Sequence, residues 1–216
     1  MRKFIPTLLC AAVAVSAASC GNSANKKSES VETAAPVEAA AENVEVVAEP
    51  VFDIVTNLGT IRIKLFSDTP RHRDNFVKLA KSNFYKGILF HRVINGFMIQ
   101  TGDPLTKNPD NKARFGTGGP GYTIPAEIVP THAHKKGALA AARLGDMANP
   151  MRESSGSQFY LVQDPISCSQ LDGQYTVFGE TLSGFDVIDK IAKVPRDGRD
   201  CPLSDVKILK VVEVVE

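Results

Sequence analysis

The stretch that most restricts the fold of this chain is Phe90-His91-Arg92-Val93-Ile94-Asn95-Gly96-Phe97-Met98-Ile99-Gln100-Thr101-Gly102-Asp103. It is a run of aliphatic and aromatic residues with one arginine near its start and one glutamine near its end. In extended chain, side chains alternate between faces. An unbroken strand would therefore put Arg92 and Gln100 on one face. Asn95-Gly96 is a strong turn signal and predicts two short strands instead. In either case a permanent cation sits among Phe97 and Met98. A charge there costs free energy unless it is paired or used. The arginine either snorkels to water from a hairpin or serves a site.

The chain has 216 residues and a formal net charge of +1. No charge asymmetry points to nucleic acid. The N-terminus reads as a targeting segment. Arg2 and Lys3 precede an apolar run from Phe4 to Ala18, broken by Pro6, Thr7 and Ser16. Ala17-Ala18-Ser19 then lead into Cys20 and Gly21. This is the pattern of a secretory signal, too short for a comfortable membrane span. A cysteine directly after small residues resembles a bacterial lipobox, with Ala17 where a larger aliphatic is usual. The resemblance implies a signal peptide over 1–19 and lipid on Cys20. It places the protein in the cell envelope, anchored to a bacterial membrane by that lipid alone, with its domain in the periplasm. The alternative is an ordinary secretion signal with an incidental cysteine.

From 20 to 50 the composition shifts to Ala, Glu, Val and Ser without aromatics. Such a segment cannot bury enough apolar surface to order itself. It is expected to be a flexible acidic tether with a reach of roughly 30 Å. The folded domain is then 51–216. Outside the cytoplasm its two cysteines, Cys168 and Cys201, are free to pair or to stay reduced.

Within the domain, Val51 to Thr56 and Thr60 to Leu65 read as a hairpin around Asn57-Leu58-Gly59. Thr69 and Pro70 predict a helix start, with Phe76, Leu79 and Ala80 at helical spacing. The glycine-rich Gly116-Thr117-Gly118-Gly119-Pro120-Gly121 signals unusual backbone angles or a close approach. It leads into a strand-like Tyr122-Thr123-Ile124 rather than a helix, which argues against a phosphate loop. His132 and His134 have the spacing of a metal pair on a strand. No third ligand is near, and Lys135-Lys136 would repel a cation, so a solvated loop is expected. Further strands are predicted at Gly137–Arg143, Gly156–Val162, after Asp172-Gly173, and at Val206–Val215. Ser183 is expected to cap a second helix, with Phe185, Ile188 and Ile191 on one face. Many short strands and two isolated helices predict a mainly β fold, a closed barrel with helices over its ends.

Four motifs, in this order and spacing, resemble the cyclophilins. They are the run from Phe90 to Asp103, Gly116-Thr117-Gly118-Gly119, Gly156-Ser157-Gln158-Phe159, and Leu171-Asp172-Gly173 with Val177-Phe178-Gly179. The resemblance covers about Val51 to Glu216. It implies a closed eight-stranded antiparallel β-barrel capped by two α-helices, with peptidyl-prolyl cis-trans isomerase activity on proline-containing polypeptides and a role in protein folding. It implies no cofactor and no metal, and a monomer is expected. Arg92 matches the family's catalytic arginine and Gln100 the glutamine that holds it. Phe97, Met98 and Leu171 match walls of the proline pocket. Gln158 and Ala142 match the substrate groove, and Gly116 its rim. Tyr160 stands where many members have a pocket Phe, which would add a hydroxyl at one edge. Tyr175 replaces a frequent His and can still donate to a substrate carbonyl. Arg143 replaces a frequent Asn whose contact is largely through backbone. Tyr175 and Arg143 look like the bacterial branch. Gln170 stands where drug-sensitive members have Trp, so weak cyclosporin binding is expected. The competing reading from another class is a binding module or chaperone that holds proline segments without turnover.

Overall fold

The computed structural model describes residues 49–215. The signal segment, Cys20 and all but the end of the tether lie outside the described residues. The last two tether residues belong to the fold. The Pro50 carbonyl accepts from Leu65 N at 3.0 Å, and Glu49 pairs with Lys64 at 3.1 Å.

The chain builds β1 (Val51–Thr56), β2 (Gly59–Leu65), α1 (Pro70–Lys81), β3 (Arg92–Ile94), β4 (Met98–Thr101), β5 (Thr123–Ile124) and β6 (Ala138–Ala141). It continues with β7 (Ser154–Ser155), β8 (Phe159–Val162), the one-turn α2 (Pro165–Cys168), β9 (Val177–Ser183), α3 (Phe185–Ala192) and β10 (Ile208–Val214). Eight strands form one antiparallel sheet in the order β10-β1-β2-β9-β6-β8-β4-β3, and β5 pairs with β7 apart from it. The sheet curls but does not close, which corrects the expected closed barrel. No ladder joins β10 to β3 among the described residues. Irregular segments bridge the seam instead: Phe90 N donates to Val206 O, Ile208 N to Ile88 O, and Val93 N to Asp200 O, at 2.8–2.9 Å. The short β3 satisfies its outer backbone groups this way without extending the ladder.

Both expected helices are present, and each begins differently from its sequence signal. Pro70 stands at the first turn of α1, but the Thr69 hydroxyl makes no capping bond and has no partner among the described residues. Glu127 supplies the cap from 55 and 56 residues along the chain. Its carboxylate accepts from Arg71 N at 3.1 Å and His72 N at 3.0 Å. It also lies 2.6 Å from His72 Nδ1. A carboxylate over the positive end of the helix satisfies two orphan donors at once. Burial lowers the His72 pKa, and Glu127 opposes that shift. At α3 the cap residue is Gly184 rather than Ser183, which ends β9. Gly184 has φ +88°, and a Cβ there would meet Thr60 O at 2.3 Å, so the chain turns where only glycine fits.

The central strands carry apolar side chains on both faces. Ile99, Leu139, Ala141, Phe159 and Leu161 enter the main core with Phe76, Ile188 and Ile191. Met98, Ala138, Ala140, Tyr160 and Val162 enter a second, smaller core with Cys168 and Val177. Period-two alternation therefore sends odd and even residues of β4, β6 and β8 into two separate apolar layers. Phe76 anchors the first layer, with Phe52, Tyr85 and Phe159 rings 5.2–5.6 Å away. Cys168 and Cys201 are free and buried. Burial pushes the Cys168 thiol up to about 12, which leaves it protonated and unreactive.

Glu127→Ala is expected to lower the unfolding free energy by about 1–3 kcal/mol, because two helix donors lose a charged acceptor. Thr69→Val is expected to stay within about 0.5 kcal/mol, since its hydroxyl contributes no bond. Urea unfolding of the two variants reads both values.

Candidate functional site

Strand register assembles the site. Arg92 on β3 lies opposite Gln100 on β4. Gln100 lies opposite Tyr160 on β8, and Tyr160 opposite Ala140 on β6. These residues form one row across the sheet, all on the face of the smaller core. The turn between β3 and β4 sets the register. Phe97 N donates to Ile94 O at 3.0 Å, and Gly96 takes φ +80°. Asn95-Gly96 thus makes a hairpin, and the eight-residue separation of Arg92 and Gln100 becomes a cross-strand pair.

Above this row lies a cavity of about 210 Å³, lined by Arg92, Phe97, Met98, Gln100, Ala142, Arg143, Tyr160, Leu171 and Tyr175. Nine of the twelve site residues expected from sequence meet here. A second cavity, of about 760 Å³, shares Gln100, Ala142 and Arg143 with the first and adds Gly116 and Gln158. Gln170 is not brought in. It is exposed, and its amide donates to Ser167 O at 3.2 Å on the outside of its own turn.

Arg92 has no carboxylate within ion-pair distance among the described residues. Its Nη1 donates to Gln100 Oε1 at 3.5 Å, a long contact. A chain of amides fixes which way Gln100 faces. Gln158 Nε2 donates to the carbonyls of Gly116 at 3.0 Å and Gly118 at 2.7 Å. Gln158 Oε1 must then face Gln100, whose Nε2 donates to it at 3.0 Å. Gln100 Oε1 is left for the guanidinium. The carbonyls of the glycine-rich loop therefore orient the arginine two side chains away.

The glycine-rich loop wraps Asp103, which is fully buried. The Asp103 carboxylate accepts from Leu105 N at 2.8 Å, Gly116 N at 2.6 Å and Gly118 N at 3.2 Å. A Cβ on Gly118 would fall 2.1 Å from Asp103 Oδ1. Close approach to this carboxylate is why glycine is needed at 118. Asp103 was not among the expected site residues. Its signal was available: an aspartate before Pro104 at the end of a strand favours a turn with side-chain caps.

The Arg143 side chain is 3 % exposed, paired with Asp146 at 2.6 Å and bonded to Leu144 O and Gln174 O. Its guanidinium lies 4.3 Å from the centre of the Tyr175 ring. His132 and His134 do not form a solvated loop. His132 packs on Phe66 at 4.2 Å and reaches Asp68 at 3.3 Å. The His134 side chain is fully buried. Its Nε2 is 2.8 Å from the Tyr160 hydroxyl, and its Nδ1 is 2.7 Å from Asp172 Oδ1. The Tyr160 hydroxyl is thus engaged by His134 and does not stand free at the pocket edge. No cluster of metal-ligating residues is found among the described residues.

Residues 51–213 match the family described as cyclophilin type peptidyl-prolyl cis-trans isomerase/CLD. A peptidyl-prolyl cis-trans isomerase of Helicobacter pylori is 42% identical over 142 residues, covering 64% of this chain and 77% of that protein. Peptidyl-prolyl cis-trans isomerase-like 2 of Rhizopus delemar is 38% identical over 170 residues, 76% of this chain but 28% of that longer protein. The crystal structure of a cyclophilin type isomerase of Cryptosporidium parvum, in the presence of dipeptide ala-pro, superposes with a TM-score of 0.67 and 31% identity. It covers 77% of this chain and 99% of that one.

Gly118→Ala is expected to cost about 1–3 kcal/mol of stability, because the added methyl displaces a buried carboxylate. Gly119→Ala, whose Cβ would meet only Ser155 Oγ at 3.9 Å, is expected to stay within about 0.5 kcal/mol. Urea midpoints measured side by side test the contrast.

Proposed function

This chain belongs to the cyclophilin-type peptidyl-prolyl cis-trans isomerases, and on that premise we propose that Arg92 is its catalytic residue and that the adjoining cavity receives the proline ring. The observation that carries this reading is a guanidinium with no carboxylate partner among the described residues, at the wall of a cavity lined mainly by apolar and aromatic side chains. The reaction explains why such a group is wanted. Resonance stiffens an amide against rotation by about 18–20 kcal/mol. At X-Pro bonds the two isomers differ by only roughly 0.5–1 kcal/mol, yet exchange takes tens to hundreds of seconds.

No bond breaks in this rotation, so no nucleophile takes part. In the twisted state the nitrogen lone pair is localised and can accept a hydrogen bond. A donation from Arg92 is then stronger in the transition state than in either planar isomer, which is the condition for acceleration. Arginine suits the role because it stays protonated and presents a planar fork. Phe97, Met98, Tyr160 and Leu171 hold the ring in surroundings of low dielectric, where that bond strengthens. Gln100 fixes the guanidinium, and Gln158 fixes Gln100. The larger cavity beside Gly116, Ala142 and Gln158 accommodates the chain preceding the proline.

The N-terminal sequence supports an envelope setting. A charged start, an apolar run and Ala17-Ala18-Ser19-Cys20 suit export followed by lipidation of Cys20, and the acidic composition of the following segment suits a tether. The domain then acts on exported polypeptides at a bacterial membrane surface.

Arg92→Ala is expected to lower kcat/KM for X-Pro isomerisation by roughly 10²–10³-fold, the usual cost of removing one preorganised donor, with the urea midpoint preserved. A protease-coupled peptide assay reads it, and undiminished activity would reassign the catalytic group. Mass analysis of the mature protein from cells is expected to show cleavage before Cys20 and added acyl chains, both absent in Cys20→Ser. An unmodified mature Cys20 would replace the anchored form with a secreted one.

A further inference from the structure

Tyr160 forms part of the wall of the Arg92 cavity, while its hydroxyl is bonded to a histidine that does not line that cavity. The direction of this bond follows from Asp172. One oxygen of the Asp172 carboxylate receives both the His134 backbone N–H at 2.8 Å and Nδ1 at 2.7 Å. An ionised carboxylate can only accept, so Nδ1 carries the proton. In a neutral imidazole Nε2 is then the acceptor, and the Tyr160 hydroxyl donates to it. The ring planes of His134 and Tyr160 are 9° apart, with centroids 5.9 Å apart.

The charge states agree with this assignment. Burial lowers the His134 pKa, against an upward pull from Asp172, and keeps the ring neutral at ordinary pH. Burial is the largest single influence on Asp172 and pushes it up, but the hydrogen bonds from the His134 backbone and ring hold it below the ordinary carboxylate value. Burial raises Tyr160 well above the ordinary phenol value, so it remains a donor.

We propose that His134 and Asp172 are positioning residues for the isomerase site. They set the imidazole tautomer that draws the Tyr160 hydroxyl proton away from the cavity, so the proline ring meets an aromatic wall with its polar group already satisfied. This rests on reading the Arg92 cavity as the proline site. The other groups facing Tyr160 are poor substitutes for the histidine. The Arg143 guanidinium can only donate and is committed to Asp146. The Cys168 thiol is directed to Phe97 O at 3.4 Å. The Tyr175 ring meets Tyr160 edge-on, with centroids 6.1 Å apart. Without the Nε2 acceptor, the hydroxyl proton has no partner in the buried layer and turns toward the cavity, where a proline ring cannot accept it. The loss falls on substrate binding in all states of the bond and not on the twisted state alone, so it appears in KM.

The test is a mutant cycle read by steady-state isomerisation of an X-Pro tetrapeptide, with urea unfolding of each variant. His134→Leu is expected to raise KM roughly fivefold to thirtyfold with kcat nearly unchanged, the scale of one unsatisfied buried hydroxyl. Tyr160→Phe removes the hydroxyl that needs the acceptor, and in that background H134L is expected to raise KM by no more than about threefold over Y160F alone. If H134L does not fold, Asp172→Asn takes its place. That residue is exposed, and the exchange removes the charge that fixes the tautomer, as in the aspartate of a catalytic triad. Unchanged KM in the folded variant, or a rise that Y160F does not relieve, overturns the proposal. Arg92→Ala separates the two levels. If it lowers kcat while H134L leaves KM alone, the positioning role fails and the site stands. If it leaves activity intact, the site reading itself fails.

Discussion

The structure depends on holding one guanidinium beside an apolar cavity without neutralising it. Arg92 is partly exposed, its only side-chain hydrogen bond among the described residues is the long one to Gln100, and no carboxylate reaches it. A paired arginine would be more comfortable there, but its donors would already be occupied. The solution is to restrain the side chain with neutral amides. Gln100 and Gln158 form a chain whose orientation is set by two backbone carbonyls of the glycine-rich loop. That loop is in turn wound around the buried Asp103 carboxylate. The negative charge in this region is thus placed two amides away from the arginine, where it orders backbone and leaves the guanidinium without a carboxylate partner.

Sheet architecture supplies the stiffness this arrangement needs. Arg92, Gln100 and Tyr160 occupy neighbouring register positions on three strands, and a site built on strands is held more closely than one built on loops. The strands themselves are buried on both faces, between the main core and the smaller one under the cavity. Ala138 and Ala140 of β6 share the smaller core with the Tyr160 ring, and Tyr175 packs against the same layer. Moving any one of these strands by a residue would turn its site residue into the opposite core.

What was legible in the sequence follows from the range of the interactions. Arg92, Gln100, Phe97 and Met98 lie within one hairpin, and alternation with the Asn95-Gly96 turn put them together without knowledge of the rest. The strands of the first hairpin and the helix from Pro70 were equally local. The Thr69 cap failed because the stronger acceptor, Glu127, comes from a distant loop, and no local rule anticipates it. His134 was misread for the same reason. Beside Lys135 and Lys136 it looks solvent-facing, yet its partners are Asp172 and Tyr160, at separations of 38 and 26 residues. Closure of the barrel was over-read from the number of strands. Whether two edges pair depends on strands that here are too short, and loop backbone bridges the seam.

Two arginines line the cavity, and their different treatment shows how the field inside it is set. The Arg143 side chain is nearly enclosed, but Asp146 pairs with its charge and two carbonyls accept from its Nε and Nη1. It then serves as a flat cover on the Tyr175 ring, a contact that adds packing and cation–π attraction. Had Arg143 been left open like Arg92, two guanidinium groups would have competed for one amide nitrogen and repelled each other across a small volume of low dielectric. Asp146 itself is half-exposed and also meets Arg152, so its compensating charge lies at the outer rim and does not reach Arg92. A group entering the cavity therefore meets a single cation without a carboxylate partner among the described residues, with Tyr160 and Tyr175 edge to face in the same wall. What the structure shows of Arg143 is its own pairing, which leaves Arg92 as the cavity arginine without a carboxylate among the described residues.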